Sequence, residues 1–111
     1  MGERRQAATG QESHDRYAFA TRLNSFRRDG RSVAEAVRLA STVPGLSALE
    51  LNYPQHLTEL DEGGLRALLA ETGLRLTGLN LRFEGNAYEN GAFTAPAAAT
   101  RRQAIATAQR A

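Results

Sequence analysis

The sequence predicts an α/β fold in which three parallel β-strands alternate with three α-helices. Three segments are rich in apolar residues and are predicted to be strands: RYAFATRLNSF, LSALELNYP and LRLTGLNLRF. A segment with helical features follows each of them, and this alternation is typical of a parallel sheet with right-handed crossover connections. Asn24, Asn52 and Asn80 lie 28 residues apart, each near the end of its strand. The three units therefore share one plan.

The first helix has the clearest local signals, within the segment SVAEAVRLASTVPG. Ser32 and Glu35 have the spacing of a capping box, in which each side chain accepts a backbone N–H of the other residue. Apolar residues from Val33 onwards recur at i, i+3, i+4 and i+7, which makes one apolar stripe. The dipeptide Pro44-Gly45 is a stop signal. The segment therefore predicts an amphipathic helix.

The other two helices are predicted from fewer signals. In TELDEGGLRALLAETG, Gly73 is placed to cap the carboxyl end of the second helix. Two consecutive glycines weaken its first turn, which predicts that the regular helix begins at Leu65. Thr94 and Pro96 introduce the third helix, through AAATRRQAIATAQRA.

Length and composition restrict the classes of protein. The 111 residues suffice for one domain, with residues 1–15 predicted to be a flexible leader and residues 16–111 the folded part. The chain lacks cysteine and lysine, which excludes disulfides, thiolate metal sites and Schiff-base chemistry. All 14 basic residues are arginines scattered among acidic ones, which disfavours nucleic-acid binding. Without a signal peptide or a long apolar segment, a cytoplasmic protein that avoids membranes is predicted.

Polar residues are predicted to gather at the carboxyl ends of the strands. In the second strand Leu49 and Leu51 share one face, while Glu50 and Asn52 share the other. The polar face continues with Arg22 and Asn24 of the first strand and Asn80 and Arg82 of the third. This is the end of a parallel sheet at which α/β proteins bind ligands. We therefore expect a ligand site there; the alternative is strand ends that fray into solvent.

The individual side chains leave several interpretations open. Glu50 would need a cation, and Arg22 or Arg82 could neutralise it, in an ion-pair network or in part of a sugar site. His56 is predicted to be solvated in a loop. Arg101 and the arginine after it are expected to pair with a glutamate of the preceding loop (Glu84 or Glu89) or to lie on a solvated face. No metal-ligand spacing and no phosphate-binding glycine loop is present in the sequence.

The end of the sequence, NLRFEGNAYENGAFTAPAAATRRQAIATAQRA, resembles the third β/α unit of the xylose isomerase-like TIM-barrel superfamily of sugar isomerases and epimerases. Its most specific part runs from GAFT to RRQA. GLSALELNYPQHL is similar to the second strand of that superfamily, and RYAFATRLNSF to the first. The resemblance covers about residues 16–111 and implies a partial (β/α)8 barrel with three of the eight strands.

The resemblance also implies which residues contact a substrate. Tyr88 stands where the family has an aromatic residue that packs against the sugar. Asn52 replaces a histidine that assists ring opening in xylose isomerases, and Arg22 replaces a tryptophan, so a related isomerase or epimerase of another sugar is expected. The substrate-binding residues implied in this way are Arg22, Glu50, Asn52, Asn80, Arg82 and Tyr88.

The family's metal ligands and catalytic groups come from later strands, so the resemblance implies no catalytic and no metal-binding residue in this chain. Mg²⁺ or Mn²⁺ would serve the full-length family, and this chain alone is predicted to bind no metal and to be inactive towards its sugar or sugar-phosphate substrate. The alternative is a non-catalytic fragment, or a partial barrel that another chain or a further copy completes through its open sheet edges. A zinc-dependent DNA repair nuclease of the same barrel type is disfavoured by the scattered arginines.

Overall fold

The computed structural model describes residues 17–111, which form one open sheet of three parallel strands with helices after each strand. The predicted leader lies outside the described residues. The elements are β1 (Phe19–Arg22), α1 (Val33–Ala40), β2 (Leu46–Tyr53), α2 (Glu62–Thr72), β3 (Arg75–Leu81) and α3 (Ala98–Arg110). Their spatial order is β1-β2-β3, and both pairings are parallel. The predicted α/β class with three parallel strands is confirmed.

The core lies between β2 and the first two helices. Leu49 and Leu51 are fully buried and share the face of β2 that the helices cover. Burying a leucine side chain contributes roughly 1.5–3 kcal/mol to the stability of the fold, so the two leucines on this face of β2 stabilise it considerably. The buried residues of the core are Leu23, Val33, Ala36, Val37, Ala40, Leu49, Leu51, Leu65, Leu68 and Leu74.

The first strand is shorter than its apolar segment predicts. The chain leaves β1 at Arg22 and continues as a 3₁₀ turn over Leu23–Phe26. The turn directs Leu23 into the core, where it is fully buried, and leaves Asn24 exposed. Asn24 therefore lies just beyond the end of β1 and not within it.

The amino end of α1 is capped twice. The predicted capping box is confirmed: the N–H of Glu35 donates to Ser32 Oγ at 3.1 Å and the N–H of Ser32 donates to Glu35 Oε1 at 2.8 Å. A second cap comes from the β2–α2 connection, where Glu59 Oε1 accepts the N–H of Val33 at 2.8 Å. Glu59 Oε2 also accepts from Arg27 at 2.6 Å. Glu59 thus joins three segments of the chain.

Helix α2 begins three residues earlier than predicted. It starts at Glu62 because Asp61 Oδ1 accepts the N–H of Gly64 at 2.7 Å. An aspartate N-cap stabilises a helix by about 1 kcal/mol, which offsets the cost of a glycine in the first turn. At the other end Gly73 caps the helix with φ +75°, as predicted.

Helix α3 is held at its start by an arginine. Arg101 Nη1 donates to the carbonyl oxygens of Ala95 at 2.6 Å and Pro96 at 2.8 Å. Of the two alternatives for Arg101, the pairing with a loop glutamate is not found among residues 17–111, and its Nη1 group donates instead to the two carbonyls that precede the helix. Ala104 and Thr107 are the buried residues of α3. Within residues 17–111 no helix is long and apolar enough to cross a lipid bilayer.

We expect Ser32→Ala to lower the free energy of unfolding by about 1 kcal/mol, because the N–H of Glu35 loses its acceptor. Chemical denaturation of the variant and the unmodified chain measures the difference. Ser47→Ala is the matched control, since Ser47 is exposed on β2. Equal losses in the two variants would contradict a stabilising cap at Ser32.

Candidate functional site

A polar cluster lies at the carboxyl end of the sheet, on the face opposite the helices. Leu49 and Leu51 point into the core, so the alternation of the strand places Glu50 and Asn52 on the other face. The strand register brings neighbours to both: Arg22 is the partner of Glu50, and Asn80 is the partner of Asn52. Four of the six predicted site residues therefore lie side by side.

Asn52 is the centre of this cluster. Its side-chain Oδ1 accepts from Arg22 Nη2 at 3.4 Å, and its Nδ2 donates to Asn24 Oδ1 at 3.0 Å. Asn52 is only 7% exposed, so its amide group needs these partners, because an unpaired buried amide is costly. Arg22 and Asn24, by contrast, are exposed. The cluster thus has a buried centre and two solvent-facing ends.

Glu50 has an amide partner where the sequence predicts a cation. Its Oε1 accepts from Asn80 Nδ2 at 3.3 Å. Arg82 pairs instead with Glu84 at 3.0 Å, and within residues 17–111 neither Arg22 nor Arg82 forms an ion pair with Glu50. The expected neutralisation is therefore wrong. Glu50 is half-buried, and its carboxylate is directed towards β3.

Arg82 is held by its backbone as well as by Glu84. Its N–H donates to the carbonyl of Tyr53 at 2.9 Å, which extends the β2–β3 pairing beyond β3. Its carbonyl accepts from Gln55 Nε2 at 3.1 Å, and the same Nε2 lies 3.3 Å from Glu84 Oε1. The loops after β2 and β3 are thereby joined at the edge of the cluster.

Tyr88 belongs to an aromatic group in the loop between β3 and α3. Its ring centroid lies 5.2 Å from that of Phe83 in a tilted arrangement. Phe93 contacts Phe83 edge to face, also at 5.2 Å, and is half exposed. These are favourable geometries for aromatic pairs. The ring of Tyr88 therefore packs in this apolar group, and among residues 17–111 its side chain forms no hydrogen bond with the amide cluster.

The environment of His56 differs from the one that the sequence predicts. The expected solvated histidine is buried, only 3% exposed, in a 3₁₀ turn over Gln55–Leu57. Its Nδ1 accepts the backbone N–H of Asn52 at 2.8 Å. The spacing of four residues across Pro54 is the only signal in the sequence that the ring could return to the strand end. His56 supports the backbone at the centre of the cluster.

The environment of His56 disfavours its charged form. Burial is the main cause that lowers the pKa of His56 below the ordinary value of 6.5, and the positive charge of Arg27 is the second. Glu59 acts in the opposite direction, while Arg22 and Arg82 lower the pKa further. The imidazole is therefore neutral at pH 7.

The described residues do not gather a metal site. Between residues 17 and 111, no group of three or more histidine, cysteine, aspartate or glutamate side chains could hold an ion. The site as described is one for hydrogen bonding. It is a polar cluster at the carboxyl end of a parallel α/β sheet.

Comparison of the chain with models of known protein families, and with curated protein sequences, finds no match.

We expect acid to destabilise the fold through His56. Because its folded pKa lies below 6.5, the unfolded chain takes up the proton first. Stability that is present above pH 6.5 is then lost as the pH falls through 6.5 towards the lowered folded pKa. The free energy of unfolding at about pH 7.5 and about pH 5.5 measures the loss.

His56→Asn should reduce this pH dependence, because an amide oxygen can accept the N–H of Asn52 and does not titrate over this range. The matched control is His14→Asn, which removes the other histidine of the chain and should leave the dependence on His56 in place. An unchanged pH dependence in His56→Asn would contradict the assignment.

Proposed function

We propose that this chain binds a sugar at the carboxyl end of its sheet, as the substrate-binding part of a sugar isomerase or epimerase of the TIM-barrel type. The observation that carries the proposal is the connected set of planar polar groups centred on Asn52, which extends to Arg22 and Asn24 and lies beside the Asn80–Glu50 pair. It occupies the end of a parallel sheet at which α/β enzymes bind their substrates.

The residue types suit a polyhydroxylated ligand. Each sugar hydroxyl donates one hydrogen bond and accepts others, so neighbouring hydroxyls need donors and acceptors in alternation. Asn80 and Glu50 offer free acceptor oxygens, while Arg22 and Asn24 offer donors. The aromatic group with Tyr88 supplies an apolar surface for the C–H faces of a ring.

Isomerisation itself would need a group that polarises the sugar's oxygens, and in metal-dependent enzymes a divalent cation supplies this. Among residues 17–111, no group of three or more histidine, cysteine, aspartate or glutamate side chains is placed to hold such a cation. We propose binding as the function of this chain and assign no catalytic residue to it. Added Mn²⁺ is expected to produce no conversion of aldose to ketose.

A second candidate function is that of a non-catalytic partial barrel completed by another chain. The outer edges of β1 and β3 have no partner strand among the described residues. Phe19 on β1 and Leu76 on β3 are 61% and 36% exposed. Unpaired edges with exposed apolar residues favour association with a further strand.

The sugar proposal is tested by titrating the full chain with an aldose and its ketose, and following backbone amide signals by NMR. We expect both to shift signals around residues 50–52 and 80. Asn80→Ala and Glu50→Gln should each weaken binding about fivefold, the cost of one lost hydrogen bond.

The matched control is Asn86→Ala, in an exposed turn of the β3–α3 loop, which should bind as the unmodified chain does. Absence of any shift when the sugar is in large molar excess over the chain would overturn the proposal. Size measurement tests the second candidate, because a monomer that unfolds cooperatively would contradict a need for a partner.

A further inference from the structure

We infer that the sugar bound here carries an anionic group, a carboxylate or a phosphate, and that Arg22 and Asn24 bind that group. This inference rests on the proposed function and specifies the class of sugar. It follows from the direction of the hydrogen bonds in the cluster.

The orientation of both amides is determined by Arg22. A guanidinium has only donors, so the Asn52 atom that meets Arg22 Nη2 is the acceptor Oδ1. The other end of the Asn52 amide, Nδ2, must then donate, and it does so to Asn24 Oδ1. Because Asn24 Oδ1 is the acceptor of that bond, the Nδ2 group of Asn24 is available to donate to another group. The described residues offer that Nδ2 no acceptor.

The solvent-facing ends of the cluster are therefore both donors. Arg22 and Asn24 are exposed, and Asn52 between them is buried and already has its bonds. A neutral sugar hydroxyl has an O–H donor of its own, which finds no acceptor between these two donors. A carboxylate or phosphate oxygen only accepts hydrogen bonds and can therefore use both. Charge-assisted bonds of this kind are about twice as strong as neutral ones.

No carboxylate of the described part of the chain neutralises the charge on Arg22. Within residues 17–111 no carboxylate lies within ion-pair distance of it, although Glu50 is its partner in the strand register. The two neighbouring arginines differ in this respect, since Arg27 pairs with Glu59 at 2.6 Å and Arg82 with Glu84 at 3.0 Å. Arg22 is thus free to pair with a ligand.

The carboxylate of Glu50 does not occupy this position. It is directed to Asn80 on β3, while Arg22 extends towards Asn52, two residues nearer the strand end. Two residues of a strand span about 6.6 Å, so an anion at Arg22 would lie beyond Glu50. The pKa of His56, lowered by burial first and by nearby arginines that include Arg22, is in keeping with a positive potential at this edge.

The test compares three sugars that differ in one group: glucose, glucuronate and glucose 6-phosphate. NMR titration of the full chain at low ionic strength gives each affinity, and acetate and inorganic phosphate are titrated in parallel. We expect one or both acidic sugars to bind about tenfold more tightly than glucose. The tighter of the two identifies the group as carboxylate or phosphate.

Two variants locate the effect. Arg22→Gln keeps a donor for Asn52 but removes the charge, and Asn24→Asp keeps the acceptor for Asn52 but replaces the outer donor with a negative oxygen. Both should abolish the preference for acidic sugars over glucose, which is read as the ratio of the affinities within each variant. The control is Arg75→Gln, which removes a charge at the opposite end of the sheet, on the exposed first residue of β3, and should retain the preference.

Equal affinities for the three sugars would overturn the inference but would not contradict the proposed function. Binding of none of them would overturn the proposed function. Acetate or phosphate binding as tightly as the acidic sugars would also overturn the inference, since the site would then hold an ion without regard to the sugar.

Discussion

The burial of Leu49 and Leu51 is the constraint on which the rest of the structure depends. These two side chains of the central strand are fully enclosed beneath α1 and α2, and a slip of one residue would expose both. The same alternation forces Glu50 and Asn52 onto the opposite face, where the register with β1 and β3 supplies their neighbours. The apolar core therefore determines the arrangement of the polar cluster, although the two share no side chain.

Much of the fold could be predicted because its signals are local. The capping box of Ser32 and the glycine cap at Gly73 each depend on residues within one helical turn, and both occur as expected. Helix α2 begins at Glu62 and not at the predicted Leu65, because the side chain of Asp61 caps the turn that the two glycines weaken. The placement of Glu50 and Asn52 away from the core also followed from alternation alone. Whether the three units belong to a TIM barrel remains a prediction.

Most hydrogen-bond partners within the site could not be predicted, because they join residues 27 to 30 positions apart. Nothing in the sequence near Glu59 indicates that it caps α1, whose first N–H it accepts. Likewise the sequence predicts an ion pair between Glu50 and an arginine, but Glu50 accepts from the amide of Asn80. Arg22 donates to Asn52 and Arg82 pairs with Glu84 instead. Competition among polar groups in three dimensions decides such pairings, and energies of about 1 kcal/mol separate the alternatives.

The bond between Asn52 and His56 has a consequence for the imidazole itself. Since Nδ1 accepts a backbone N–H, its lone pair is engaged, and the neutral ring must carry its proton on Nε2. The histidine thus exists as one tautomer in the folded chain. Any group that approaches Nε2 meets a hydrogen-bond donor. In this respect His56 has the same polarity as Arg22 and Asn24, so the donors at the carboxyl end of the sheet come from β1, the turn after it and the turn after β2.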